Sequence, residues 1–505
     1  MTRWWESRAF VVAALIASVL PLLWTSLPPL SDLSGHIGRY HIASAIGGSA
    51  DLARHWAFEW ALIGNLGVDL LVHALAPLIG VEGAARLIVT LIPLLWASGL
   101  ILIARAADGR LSPAAAFAFP LAYGFPFQFG FVNFMLAAGL ALHALALWIW
   151  MGRRGRVRLR AVLFVPIACV LWIAHSFGWA MFGLFAFAAE VMRLRDSGWL
   201  HAMLRAGLSC LPLALPLAAM IGGSPSEPWA WDWTAKLSWV PSLLRERWKW
   251  WDVACAILLF GILWMAVRDR RLRFDPVIGI AALAGFVAFL ALPRLALGGA
   301  YVDMRMLAPA VALALVAIRV KPGHEVFDHR LALAATAFLA FRTITSTAAM
   351  ILFAQPQAAA LEAVPHIPRG AAVLVLVNQP CTTEWADRRL GHIAGIAVAR
   401  RDIFENGQWT IGGQQLLQHH HPDAELYASD PSQLVYPDSC DFKQTRFDAA
   451  VRDFDRGTFN YVWTLDFPAQ RQLAPDVKRV WSNGVSAIYA VDRNPSRLPV
   501  GAAPQ

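Results

Sequence analysis

The 505-residue chain is 58% hydrophobic and only 15% charged, whereas an ordinary soluble domain carries about a quarter charged residues. That composition excludes a water-soluble globular protein over most of the length. The formal net charge of +9 is spread as Lys and Arg over short loops between apolar runs, where the positive-inside rule puts cytoplasmic loops; nucleic acid is not the partner this charge implies.

The N-terminal Arg3 and Arg8 precede a long apolar run that lacks a small-x-small cleavage pattern, so it reads as a retained first helix and not a signal peptide. Basic loops follow at Arg105 and Arg110, at Arg153 to Arg160, at Arg193 to Arg205, at Arg268 to Arg273, and at Arg319, Lys321 and Arg330. With all of them cytoplasmic, an even number of crossings separates each from the next. A spanning helix needs about 20 apolar residues, and the runs then predict helices near 9–27, 84–104, 112–127, 130–151, 161–176, 177–192, 205–222, 251–267, 276–293, 306–320 and 331–354. This gives eleven crossings, with the N-terminus inside and the C-terminus outside.

Residues 57–80 are left out of the count. Asn65, Asp69 and His73 recur there at i, i+4, i+8, a polar stripe that suits a membrane-surface helix or a cavity wall. They fall in one external loop, 28–83. Two more external stretches are 294–305 and 223–250; the second is rich in tryptophan (Trp229, Trp231, Trp233, Trp239, Trp248 and Trp250, with Trp251 at its end), which reads as an interfacial belt or as a stacking platform for a sugar or lipid.

Apolar runs end near residue 355. The expected fold class is a polytopic α-helical membrane protein, residues 1–355, followed by a small extracytoplasmic α/β domain, residues 356–505. Short β-rich runs predict strands at 371–378, 460–465 and 485–491, with helices around 355–364, 385–398 and 444–453. Cys381 and Cys440 both lie in this tail, where an oxidising compartment allows a disulfide, two free thiols being the alternative. Cys169, Cys210 and Cys255 sit in apolar runs as packing residues.

Polar residues that can carry chemistry form two groups. Asp32, His36 and Arg39, spaced to share one helical face, offer a base, a proton shuttle or metal ligand, and a phosphate clamp; the alternative is a hydrated loop with a capping Asp. Tyr301, Asp303 and Arg305, with Arg294 nearby, stand at the external ends of two helices, and Arg grips phosphate in a bidentate manner. Asp303 and Arg305 can also pair as a loop staple. Arg342 lies inside an apolar run, where a charge costs at least about 2.5 kcal/mol, so it faces a polar cavity, binds a headgroup or snorkels. His175 and Asn133, at outer helix ends, line the same cavity or satisfy local structure. His419, His420 and His421 form a solvated loop more readily than a metal site. No P-loop, dinucleotide fingerprint, HExxH or GxSxG motif is present.

This layout, with Pro28-Pro-Leu-Ser-Asp-Leu-Ser-Gly-His-Ile-Gly-Arg after the first helix and the segments Asn65-Leu-Gly-Val-Asp-Leu-Leu, Phe131-Val-Asn-Phe and Tyr301-Val-Asp-Met-Arg, resembles the GT-C superfamily of membrane glycosyltransferases. The resemblance covers residues 1–355 loosely and puts Asp32 at the acidic position of the family's first external loop. It implies transfer of a sugar from a polyprenyl phosphate carrier to a glycan, lipid or protein acceptor on the outer face of a bacterial inner membrane. Asp32 is then the base and His36 its positioning partner or proton shuttle. Arg39, Arg305 or Arg342 meets the leaving phosphate, with Tyr301, Asp303 and His175 lining the substrate site. Many family members have two adjacent acids there; this chain has Ser31 beside Asp32, which leaves a divalent ion open as a cofactor. The rival readings are a transporter or flippase of a lipid-linked substrate and a non-catalytic envelope-polysaccharide assembly protein.

Overall fold

The computed structural model of the protein describes residues 3–220, 229–296, 299–382, 384–410, 415–437, 440, 445–467 and 473–493. Among them six helices are long and apolar enough to cross a membrane: Gly67–Asp108, Val132–Arg153, Val157–Ala174, Ser176–Ser197, Lys249–Arg268 and Glu325–His366. Arg8–Leu22, Pro276–Ala291 and Met304–Ala317 are shorter apolar helices. The chain is a membrane protein, and many of its outward helix residues, such as Val162, Leu200, Ile257 and Val287, are exposed hydrophobics of the kind that lipid covers.

Two of the eleven expected helices are broken. Over 112–127 the chain forms a turn of helix at Ala115–Ala118, a 3₁₀ turn at Phe119–Tyr123 and a second short helix at Phe125–Phe129. Pro120 and Pro126 each start a new piece, because proline donates no backbone hydrogen bond and clashes with the preceding turn. Over 205–222 the helix Trp199–Cys210 gives way to a 3₁₀ turn at Leu211–Ala214 and a short turn at Leu217–Met220, with Pro212 and Pro216 at the breaks. The helix Gly67–Asp108 is itself interrupted at Gly80, whose φ of 73° and ψ of 162° are open to glycine at little cost. Asp69 and His73 lie before this break and the expected span 84–104 after it.

The chain divides into two compact units: Met1–Pro28, Leu62–Leu71 and Arg86–Met350 form one, and Pro29–Ala61, Val72–Ala85 and Ile351–Gln505 the other. In the first unit, buried charges tie helices together. Arg160 meets both oxygens of Glu190 at 2.9 and 3.0 Å, with its guanidinium 3.8 Å from the centre of the Trp148 ring. Arg193 closes the same carboxylate from the other side. Asn133 accepts from the backbone N–H of Val68 and donates to the Asn65 carbonyl and to Asp69. It is a structural staple for the segment that carries the polar stripe.

The second unit is built on a mixed sheet in the order Val477–Ser482, Ser486–Val491, Tyr461–Leu465, Ala372–Asn378, Phe404–Glu405, with Leu434–Val435 also on Ala372–Asn378. Tyr461–Leu465 runs parallel to Ala372–Asn378 and antiparallel to Ser486–Val491. Ala372–Asn378 is an almost wholly buried hydrophobic run, the pattern of a strand covered on both faces. All three strands expected in the tail are present. The helix expected at 385–398 is confined to Gly395–Arg401, and the one expected at 444–453 to Phe447–Asp453, residue 444 lying outside the described residues.

Cys381 and Cys440 are joined in a disulfide across a sequence separation of 59 residues. Cross-linking a loop of that length restricts the unfolded chain. Replacing both cysteines by serine is expected to destabilise the protein by roughly 2–4 kcal/mol, read as a lower midpoint in thermal unfolding; an unchanged midpoint refutes this.

Candidate functional site

In the second unit, the helix Leu33–Ala45 starts directly after Asp32, yet the Asp32 side chain makes no capping bond to it. The expected alternative of a hydrated capping aspartate therefore fails: Asp32 is buried and turned elsewhere. What it meets is set by glycine. A Cβ on Gly395 would lie 2.2 Å from the Ser34 carbonyl oxygen, and one on Gly38 would lie 2.9 Å from Gly395 Cα. The helices Leu33–Ala45 and Gly395–Arg401 thus touch backbone to backbone.

That contact brings His392 to Asp32. His392 Nε2 lies 3.9 Å from Asp32 Oδ1 and 3.6 Å from Asp430 Oδ1. Its Nδ1 sits 3.2 Å from the Gly407 carbonyl, which can only accept, so the Nδ1 proton points there and Nε2 faces the two acids. The Trp409 ring covers both His392 and His36, with centroids at 4.2 and 4.9 Å. Glu405 is buried next to this group and accepts from the Gly407 N–H.

Burial sets the electrostatics. Removal from water pushes the Asp32 carboxyl well above its ordinary value, and the nearby charges of Asp430 and Asp387 push it further. Burial also lifts Glu405 to about 7 and holds His392 below the usual imidazole range. Arg39, on the same helix as His36, donates to the side chain of Gln415 and lies over the Tyr40 ring. No group of three His, Cys, Asp or Glu among the described residues is arranged to hold a metal ion.

The first unit contains the remaining candidates, in separate settings. Arg305 has Nη1 3.1 Å from His175 Nε2, donates through Nη2 to the Ala300 carbonyl, and lies over the Phe131 and Phe134 rings at 4.6 and 5.5 Å. A guanidinium only donates, so the His175 Nε2 facing Arg305 is a lone-pair acceptor on an uncharged ring. Imidazole therefore cannot neutralise this cation, and no carboxylate among the described residues pairs with it.

Asp303 does not staple to Arg305. It caps Met304 and faces Lys236 at 3.3 Å, and Lys236 also donates to the carbonyls of Phe289 and Leu292. Tyr301 has a φ of 57°, a strained value for a non-glycine residue. Its ring packs on Phe129 and Trp239, with the Arg294 guanidinium 5.2 Å from its centre. Arg294 is held by Asp232.

Arg342 corrects its expectation as a phosphate ligand. It is 1% exposed and its charge is taken by Asp252 at 2.9 Å and Glu246 at 3.2 Å. Gln128 and Ser346 bond the same Glu246. The arginine satisfies buried acids beside a pocket of only about 10 Å³ that it lines with Ser346.

Sequence reasoning missed His392, Asp430, Glu405 and Trp409, which carry no motif. It also missed Asp252 and Glu246. Asp252 opens the apolar helix Lys249–Arg268, and the Arg342 charge in another apolar run was the signal that a partner acid had to exist.

No family model matches the chain, and no curated protein does. Solved structures do. ArnT from Cupriavidus metallidurans in the apo state superposes with a TM-score of 0.51 at 16% identity, covering 95% of this chain and 97% of that one. The same protein bound to undecaprenyl phosphate gives 0.53 at 15% identity over 100% of both. The fold is thus that of ArnT. At this identity the likeness is one of fold, and it extends over the whole length of the chain.

Two substitutions separate the arginines. Arg342→Ala strands two buried carboxylates and is expected to cost about 3–5 kcal/mol, whereas Arg305→Ala, which breaks no ion pair, leaves the thermal midpoint within a few degrees. Equal losses in the two variants refute this division. Gly395→Ala forces apart the helices beside Asp32 and is expected to cost at least about 1–3 kcal/mol, measured in the same way.

Proposed function

We propose that the protein is a glycosyltransferase that takes a sugar from a polyprenyl phosphate carrier and passes it to an acceptor hydroxyl at the outer face of the bacterial inner membrane. On this reading the N-terminus is cytoplasmic and the second unit periplasmic, and the acceptor is an envelope glycan, lipid or protein. The fold of ArnT, which one structure holds with undecaprenyl phosphate, supports the carrier class.

The observation that carries the reading is Asp32. Its carboxylate is buried, has no Arg or Lys partner among the described residues, and binds its proton more tightly than an ordinary Asp. Such a group works as a general base near neutral pH. It would take the proton of the acceptor hydroxyl as that oxygen attacks the anomeric carbon. The bond from that carbon to the phosphate oxygen breaks, and polyprenyl phosphate leaves with the electron pair, inverting the anomeric centre.

His392, between Asp32 and Asp430, would orient the carboxylate, and His36 beside Trp409 would border the acceptor. The departing phosphate needs a cation whose charge is not already met. Arg305 fits that need, with His175 and Tyr301 shaping its surroundings. Arg39 remains a candidate for the same task.

The test uses the purified full chain in lipid nanodiscs with labelled undecaprenyl-phosphate sugars and an envelope extract as acceptor. Asp32→Asn is expected to cut release of undecaprenyl phosphate by about 10²–10⁴-fold while donor binding persists. Transfer by Asp32→Asn at the parent rate sinks Asp32 as the base, and absence of transfer by the parent chain sinks the transferase reading. Translocation of the lipid-linked sugar without transfer identifies a flippase, and indifference in both assays identifies a scaffold. The rate should also fall as pH drops through the raised Asp32 value. Asp430→Asn removes a negative neighbour, makes Asp32 easier to ionise and moves that acidic limb to lower pH.

A further inference from the structure

The second unit contains an open cavity of about 610 Å³ that shares no lining residue with the Asp32 group. This is within the range of about 300–1,000 Å³ that holds a ligand of several rings. It lies at the leading ends of the parallel strands Ala372–Asn378 and Tyr461–Leu465, beside the pairing of Trp56–Phe58 with Leu417–His419.

Its wall is built and not incidental. His55 Nε2 lies 2.9 Å from the Gly370 carbonyl, so it carries the proton. His55 Nδ1 must then accept, and the nitrogen 2.8 Å away, His421 Nε2, donates to it. The relay leaves His421 Nδ1 as a lone-pair acceptor. Burial holds His55 below its ordinary value and His421 at about 4, so both rings are neutral near pH 7. Gly370 makes this possible: its φ is +64°, and a Cβ there would lie 2.4 Å from Asp51 Oδ1.

Charge on the remaining wall balances. Arg54, Arg493, Asp423 and Asp455 all line the same cavity, two positive and two negative. Arg54 is engaged by Asp51, and Arg493 is pinned by the Gly457 and Thr458 carbonyls. Asp455 accepts from the backbone N–H groups of Gly457 and Thr458. A site with donors and acceptors in this proportion and no net charge suits a ligand that is polar all over and uncharged.

We infer that this cavity binds a neutral sugar segment, as a subsite for a glycan that the protein acts on. Naming the glycan as the acceptor rests on the proposed transferase activity; the binding itself does not. Hydroxyl groups alternate donor and acceptor as this wall does, and a wall that pairs them rejects ligands lacking them.

The experiment is an array of neutral and uronic-acid-containing bacterial oligosaccharides, probed with the full chain in nanodiscs. Neutral oligosaccharides are expected to bind, and Arg493→Ala and Thr458→Val to weaken them at least tenfold. Arg493 is exposed, so its loss leaves the fold intact, and Thr458→Val keeps the volume. Asp32→Asn should bind as the parent does. The inference is overturned if no oligosaccharide binds, if neither variant weakens binding, or if inorganic phosphate or the acidic sugars displace the neutral ones. Sugar binding by a parent chain that transfers nothing from the labelled undecaprenyl-phosphate sugars removes the transferase reading and leaves this one standing.

Discussion

The backbone contact between Leu33–Ala45 and Gly395–Arg401 is the constraint on which the candidate site depends. A side chain larger than hydrogen at Gly38 or Gly395 would push the helices apart, and water would reach Asp32. With the helices in contact, the carboxylate is taken out of water without a cationic partner, which raises its proton affinity. His392 and Trp409 complete the enclosure from the other side. The energetic penalty of a lone buried acid is tolerated only where surrounding packing enforces it, and such places cluster at functional sites.

The buried charges of the first unit are handled differently from Asp32. Glu190 is closed by two arginines, Arg342 by two acids, Asp303 by Lys236 and Arg319 by Asp108. In an apolar bundle an unpaired ion costs several kcal/mol, so pairing is the expected state. Arg305 departs from it: aromatic faces, a carbonyl and a neutral imidazole surround it. Aromatic faces stabilise a guanidinium without cancelling its charge, which keeps it attractive to a phosphate.

Much of this was legible in the sequence, and what was hidden has identifiable causes. The tail strands stood out because runs such as AVLVLVN at Ala372–Asn378 are β-rich and bounded by turns. The position of Asp32 after the first helix was visible, as was the likeness of its loop to GT-C proteins. The breaks at Pro120, Pro126, Pro212 and Pro216 were also written in the chain, but hydropathy runs straight through proline and outweighed the backbone argument. The surroundings of Asp32 were not readable at all. His392, Trp409 and Asp430 come from loops, and Glu405 from a two-residue strand, near the other end of the chain, and no local pattern encodes which distant segment a helix will meet. The role of Arg342 was half legible: its cost in an apolar run was plain, but whether a ligand or a protein acid met it depended on the placement of Asp252 and Glu246.

The same logic explains why the acid and the cation are of these residue types. A base drawn from aspartate needs its affinity for protons raised, and burial next to Asp430 and Asp387 does that without a lysine or arginine, whose charge would lower it again. On the proposed function, a cation that meets a phosphate must stay charged after losing water. Guanidinium holds its proton more firmly than an ammonium, is more weakly hydrated and stacks on Phe131 and Phe134. Lysine at position 305 would keep the formal charge but lose the planar stacking and the fork geometry that a phosphate group matches. Among the described residues, Asp32 without a cationic partner and Arg305 without a carboxylate each depart from the pairing seen at Glu190, Arg342 and Asp303.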